Sequence, residues 1–125
     1  MILDTNALSA YLDRTAEAVE IVSEAPEIAI PVIVAGEFVY GISQSRHREA
    51  YERSLQRMLD RCTVLDIEIE TSRHYAAIRL ELRAAGRPIP ANDVWIAALS
   101  RQHAMPVMSR DSHFDSVGGL RRRTW

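Results

Sequence analysis

Very short apolar runs alternate with longer segments of helical periodicity, and this alternation restricts the fold more than any other feature. The runs are Ile2-Leu3, Glu27 to Ile30, Thr63 to Asp66 and Pro106 to Met108. Three of them end at a turn or breaker, at Asp4-Thr5-Asn6, at Pro31 and at Ser109-Arg110-Asp111. Between them the 3.6-residue period predicts helices over Ala7 to Leu12, Ala16 to Ala25, Val32 to Ser45, Arg46 to Arg61, Ile69 to Ala85 and Ala91 to His103. Pro26 stops the second helix, Gly86 is a stop signal after the fifth, and Arg87-Pro88-Ile89-Pro90 is a rigid loop. The tail, with Val117, Leu120 and Trp125, predicts a last edge strand. Strands that alternate with helices belong in a parallel sheet covered on both faces, joined by right-handed crossovers. The expected fold is therefore α/β, a three-layer α/β/α sandwich. A length of 125 residues, 47% of them hydrophobic, suits one domain over residues 1–125 with a real core.

Two helices stand out. Val32 to Ser45 is apolar on almost every side, yet it contains Gly36 and Gly41. Each glycine costs about 1 kcal/mol against alanine inside a helix, which predicts either close backbone approach or a partner surface. Ala91 to His103 offers Val94, Trp95, Ile96, Ala98 and Leu99 for packing, with Trp95 expected in the core.

Charge excludes little. The net charge of −2 and pI near 6.1 do not mark a nucleic-acid binder, so such a partner would need a local basic patch or a metal. All fifteen basic residues are Arg, a pattern mildly suited to RNA that codon bias explains better. Arg121-Arg122-Arg123 suits either phosphate contact or a solvated edge strand. The single cysteine, Cys62, cannot form an internal disulfide and reads as a small packed residue. The four histidines lack zinc spacing, and His113 reads as a surface residue. The start has no basic leader, and no run approaches the roughly 18 apolar residues of a membrane span. A cytoplasmic protein with no membrane partner is expected.

The acids carry the chemistry. Ligands of an open parallel sheet bind beyond the carboxyl ends of its strands. Asp4 follows the first strand, Asp111 follows the Pro106 to Met108 strand, and Asp93 opens a helix. Glu37 lies inside an apolar helix, where a charge is costly without a partner. Converging carboxylates repel one another, and a hard divalent cation such as Mg²⁺ or Mn²⁺ removes that repulsion. Such an ion lowers the pKa of a bound water and steadies charge on a phosphate. Each acid also has a plain structural role available. Asp4 and Asp93 suit helix N-caps or first turns, and Asp111 suits an ordinary turn.

The motifs resemble those of the PIN-domain family. Met1-Ile2-Leu3-Asp4-Thr5-Asn6 looks like its opening strand and first acid. Val34-Ala35-Gly36-Glu37-Phe38-Val39-Tyr40-Gly41 is similar to the segment bearing the second. Pro90-Ala91-Asn92-Asp93-Val94-Trp95-Ile96-Ala97-Ala98 resembles the third-acid helix. Ser109-Arg110-Asp111-Ser112-His113-Phe114, followed by Val117 and Gly119-Leu120, resembles the C-terminal motif. Order, spacing and length fit the VapC-like toxins of type II toxin–antitoxin pairs.

That resemblance implies a PIN-like parallel sheet of about five strands and a metal-dependent endoribonuclease that inhibits translation or growth. It implies that Asp4, Glu37, Asp93 and Asp111 are catalytic and bind Mg²⁺ or Mn²⁺, with Asp115 supporting or replacing Asp111. Thr5 and Asn6 are expected to hydrogen-bond around Asp4, and Ser109 to hold a water or phosphate or else to end a strand. The implied partners are an RNA substrate, a cognate antitoxin and a second copy of the chain, hence a homodimer within a toxin–antitoxin hetero-oligomer. The alternative from another class is a catalytically silent PIN-like module that binds RNA or protein. A phosphoryl-transfer fold with an acceptor Asp would need a lysine partner, and the chain contains no Lys.

Overall fold

Hydrogen bonds that run past the strand ends, more than strand length, define the sheet. In the computed structural model, which describes residues 1–125, five strands form one sheet. They are β1 (Ile2–Leu3), β2 (Ala29–Pro31), β3 (Thr63–Leu65), β4 (Val107–Met108) and β5 (Arg122–Arg123). The order is β3-β2-β1-β4-β5, and every pairing is parallel. The Ile2 N–H donates to the Pro106 carbonyl at 2.8 Å and the Asp4 N–H to the Met108 carbonyl at 3.2 Å. On the flanks, the Ala29 N–H donates to the Met1 carbonyl and the Ser109 N–H to the Arg123 carbonyl, both at 2.9 Å. Ile2, Leu3, Ala29, Ile30, Val107 and Met108 are all fully buried. Such apolar continuity is expected of parallel strands covered on both faces.

Six helices cover the sheet. They are α1 (Thr5–Leu12), α2 (Ala16–Glu24), α3 (Val32–Ile42), α4 (Arg48–Leu59), α5 (Ile69–Ala84) and α6 (Ala91–His103). The four from α1 to α4 pack among themselves, and α5 packs on α6. Crossovers of one hand, right-handed by the general rule for parallel strands, account for this division. The chain moves outward from β1 to β3 with one helical layer, then returns to β4 on the other side of β1 with the second. The result is the three-layer α/β/α sandwich. No helix is long and apolar enough to cross a membrane.

Side chains fix how α5 meets α6. Glu68 and Thr71 form a reciprocal capping box at the start of α5. The buried Thr71 hydroxyl also donates to Gln102 Oε1 on α6 at 2.5 Å. Arg101 grips both oxygens of Glu81 at 2.9 Å and the Gly118 carbonyl at 3.0 Å. Tyr75 stacks on Trp95 with ring centroids 3.9 Å apart. Trp95 is thus half-buried against α5 and does not sit in the core as the sequence suggests, because the inward face of α6 is taken by Val94, Ile96, Ala97, Ala98 and Leu99.

The glycines behave differently from one another. Gly86 has φ +64° after α5, where its N–H and that of Arg87 satisfy the carbonyls of Arg83 and Leu82. A Cβ at Gly36 or Gly41 would meet nothing within 4 Å, so close backbone approach does not explain them. Instead α3 presents Val32, Gly36, Val39 and Tyr40 to solvent, with Tyr40 83% exposed. At the other end of the chain, the basic run is largely spent within the molecule. Arg122 binds Asp115 and the Ser109 carbonyl, and Arg123 pairs with Glu24.

These backbone differences set opposite expectations. Gly86→Ala should destabilise the fold by about 1 kcal/mol, because L-residues are strained at positive φ. Gly36→Ala should stabilise it by about as much, from helix propensity in open space. Thermal melts read the pair as shifts of roughly 4 °C down and up. A Gly36→Ala variant that melts lower than the parent would contradict the account.

Candidate metal centre

Strand order reverses direction between β1 and β4, and a cleft opens there beyond their carboxyl ends. The register pairs Leu3 with Met108, so the next residues, Asp4 and Ser109, emerge side by side. Asp4 is only 4% exposed. Its Oδ1 accepts the Ala7 N–H at 2.7 Å, capping α1, and its Oδ2 accepts the Ser109 hydroxyl. The fully buried Ser109 oxygen in turn accepts the Asp111 N–H at 2.8 Å. Asp111 then caps a 3₁₀ turn (Ser112–Ser116) by accepting the His113 N–H at 2.9 Å.

The other two acids arrive from helices on opposite layers. Asp93 sits in the first turn of α6, where the helix dipole favours a carboxylate. Glu37 projects from α3, with one oxygen accepting the Thr5 hydroxyl and the other the Asn92 side-chain amide. Asp4, Thr5, Asn6, Glu37, Tyr40, Asp93, Ile96 and Asp111 line the cleft. Neither Arg nor Lys is among them. The one side chain there that can carry positive charge is His113, whose Nδ1 lies 3.1 Å from Asp93 Oδ2 and 3.1 Å from Asp111 Oδ1.

Electrostatics record the crowding. Burial raises the Asp4 carboxyl pKa above its ordinary value, its bonds from Ser109 and Ala7 oppose the shift, and the charges of Asp93 and Asp111 add to it. Burial also raises Asp93, the contact with His113 opposes this, and Asp111 and Glu37 push it further up. Four carboxylates with little compensating positive charge make a hard-oxygen donor set, which fits a divalent cation of the Mg²⁺ or Mn²⁺ type.

The structure brings Asp4, Glu37, Asp93 and Asp111 into one cleft and leaves Asp115 outside its lining. Asp115 is exposed and forked to Arg122 at 2.8 and 2.7 Å, which holds its carboxyl below the usual range. Thr5 bonds Glu37 instead of Asp4, because the first turn of α1 aims its hydroxyl toward α3. Asn6 lines the cleft, and Ser109 serves Asp4 directly. Asn92, Tyr40 and His113 complete the neighbourhood without having been marked by the acid pattern. For Asn92 the available signal was a buried-face glutamate in need of a donor. Cys62 is half-buried well away from this cleft, with its thiol pKa pushed up by burial.

Known proteins share this fold. The PIN domain family model matches residues 1–120. Ribonuclease VapC2 of Haemophilus influenzae is 30% identical over 98% of this chain and 96% of its own. The tRNA(fMet)-specific endonuclease VapC of Shigella flexneri is 29% identical over 79% of this chain and 76% of its own. Among solved structures, VapBC2 from Rickettsia felis bound to a DNA fragment from its promoter superposes with a TM-score of 0.86 at 25% identity, covering 99% of this chain and 97% of that one. With the fold, the four-acid cleft and the match across residues 1–120 in agreement, the chain belongs to the PIN-domain family.

Proposed function

We propose that this chain is a metal-dependent endoribonuclease, the toxin of a toxin–antitoxin pair, built as one PIN domain over residues 1–125 and acting in the cytoplasm. The observation that carries the reading is the convergence of Asp4, Glu37, Asp93 and Asp111 on one open cleft without Arg or Lys. The names of the relatives, ribonucleases and a tRNA endonuclease, support it.

The four carboxylates would hold Mg²⁺ or Mn²⁺. When bound, the ion supplies positive charge that draws a phosphodiester into an otherwise repellent cleft and makes water more acidic there. The protein's own groups set the geometry. Asp4 is fixed from both sides by Ala7 and Ser109. Glu37 is aimed by Thr5 and Asn92. One carboxylate of the set takes the proton from the attacking water as its oxygen bonds to phosphorus and the P–O3′ bond breaks, and the departing oxygen takes a proton from solvent, leaving a 3′-hydroxyl and a 5′-phosphate. Tyr40, exposed at the rim of the cleft, offers a ring on which an RNA base can stack.

A small antitoxin is the partner we assign, with a homodimer of this chain inside the assembly. The open α3 face of Val32, Gly36, Val39 and Tyr40 runs to the cleft and gives a partner a way to cover it. The solved relative from Rickettsia felis, a VapBC2 assembly, supports a pairing of this kind.

Cleavage of a mixed RNA pool tests the central claim. Wild type should cut with Mg²⁺ or Mn²⁺ and stop with EDTA. Asp93→Asn should lose at least about 100-fold, since removing a metal ligand costs no less than removing its supporting groups. Folded protein that cuts nothing in any lane, or cuts equally with EDTA, would refute the enzyme reading. Asp4→Ala separates a nuclease, which loses its effect, from a binding module, which keeps it.

The raised carboxyls give a second test, in the metal-free protein. An acid whose folded pKa lies above its unfolded value holds more protons when folded, so stability falls as pH rises through that interval. For Asp4 and Asp93 the interval begins near the ordinary 3.8 and extends upward. Metal-free protein should therefore lose stability from this site as pH climbs through that interval, while stabilisation by added Mn²⁺ grows. Asp93→Asn should melt a few degrees higher than wild type in EDTA and gain nothing from Mn²⁺. Melting curves on the two proteins decide it, and a lower metal-free midpoint for Asp93→Asn at neutral pH counts against the electrostatic account.

A further inference from the structure

His113 brings the only nitrogen donor of a histidine to the acidic cleft, and the four-acid pattern gives it no role. Its Nδ1 lies 3.1 Å from Asp93 Oδ2 and 3.1 Å from Asp111 Oδ1, and the three atoms fall within 4.8 Å of one another. Adjacent ligands of an octahedral ion with bonds of about 2.1 Å sit about 3.0 Å apart. The nitrogen therefore stands at ligand spacing from two of the proposed metal acids. Its position is not left to a free loop. The His113 N–H is bonded to Asp111 Oδ1 in the 3₁₀ turn, so the residue is carried on the same short unit as Asp111. The side chain is 46% exposed, which leaves the ring room to adjust.

Resting on the reading of this cleft as a divalent-metal site, we infer that His113 is a nitrogen ligand through Nδ1 and turns the site's selection from Mg²⁺ toward Mn²⁺. Mg²⁺ is a hard ion that takes oxygen and sheds water reluctantly. Imidazole nitrogen favours first-row transition ions, whose affinities rise from Mn²⁺ along the series. A cleft of carboxylates alone discriminates between Mg²⁺ and Mn²⁺ weakly. One nitrogen added to the set strengthens Mn²⁺ binding and does little for Mg²⁺. As a ligand Nδ1 offers its lone pair, so the ring carries its proton on Nε2 and donates no hydrogen bond to either carboxylate from Nδ1.

Calorimetric titration with Mn²⁺ and with Mg²⁺, at one fixed pH, compares wild type, His113→Ala and Asp93→Asn. Pulsed electron paramagnetic resonance of the Mn²⁺ complex reads the donor atoms directly. His113→Ala should weaken Mn²⁺ binding about tenfold and Mg²⁺ binding less than about twofold. Wild type should show ¹⁴N coupling to Mn²⁺ that the variant lacks. Absence of that coupling in wild type overturns the inference, as does an unchanged Mn²⁺-to-Mg²⁺ ratio. Tighter binding of both ions in the variant also overturns it, since a ring that only competes for the acids acts in that way. Asp93→Asn keeps the two readings apart. If it still binds both ions as wild type does, the acidic-cleft reading itself fails, whatever His113 does.

Discussion

The parallel pairing of β1 with β4 is the constraint on which the rest depends. It is a short pairing, with Ile2 beside Val107 and Leu3 beside Met108. Because successive residues of a strand point to opposite faces and both faces are covered, a slip of one position would send each buried side chain into the opposite helical layer. The complete burial of all four residues holds the register. Their successors, Asp4 and Ser109, are consequently in contact although 105 positions separate them in the chain. The opening of α1 and the entry to the 3₁₀ turn are both built on that one contact.

Such a site works against the stability of its own fold. Asp4 is nearly buried, and the hydrogen bonds from Ala7 and Ser109 only partly compensate for the water it has lost. Three more carboxylates share the cleft. An amide side chain in place of one of them would relieve repulsion. Local stability is surrendered where a ligand is to be gripped, a common trade at functional sites.

The fold was legible where period and punctuation agreed. Ala91 to His103 matches α6 to the residue, because Pro90 starts it and apolar spacing continues to its end. Four of the strands are legible as runs of two to four residues, with edges displaced by at most two, and the fifth only as an edge strand somewhere in the tail that holds Val117, Leu120 and Trp125. Boundaries failed where capping decided them. Helix α1 begins at Thr5, since Asp4 is its cap, and α3 stops at Ile42 instead of Ser45. The turn over Ser112–Ser116 left no trace in periodicity, as one 3₁₀ turn is too short to show any. Of the site, the acids stood out by type and by place. Their hydrogen-bond partners did not. That Thr5 serves Glu37 and Asn92 meets it from the far layer depends on helix orientation, which one-dimensional spacing does not encode.

The termini of the sheet carry a consequence of a different kind. A parallel sheet left open on either side exposes unpaired backbone groups that invite strand addition by another molecule. Here β5 is two arginines long, one forked to Asp115 and the other paired with Glu24. At the opposite limit β3 is three residues long, and Thr63 is tied to Glu27. Neither side offers a long apolar template. Copies of this chain held at high local concentration thereby find little at either edge on which to join sheet to sheet into fibrils.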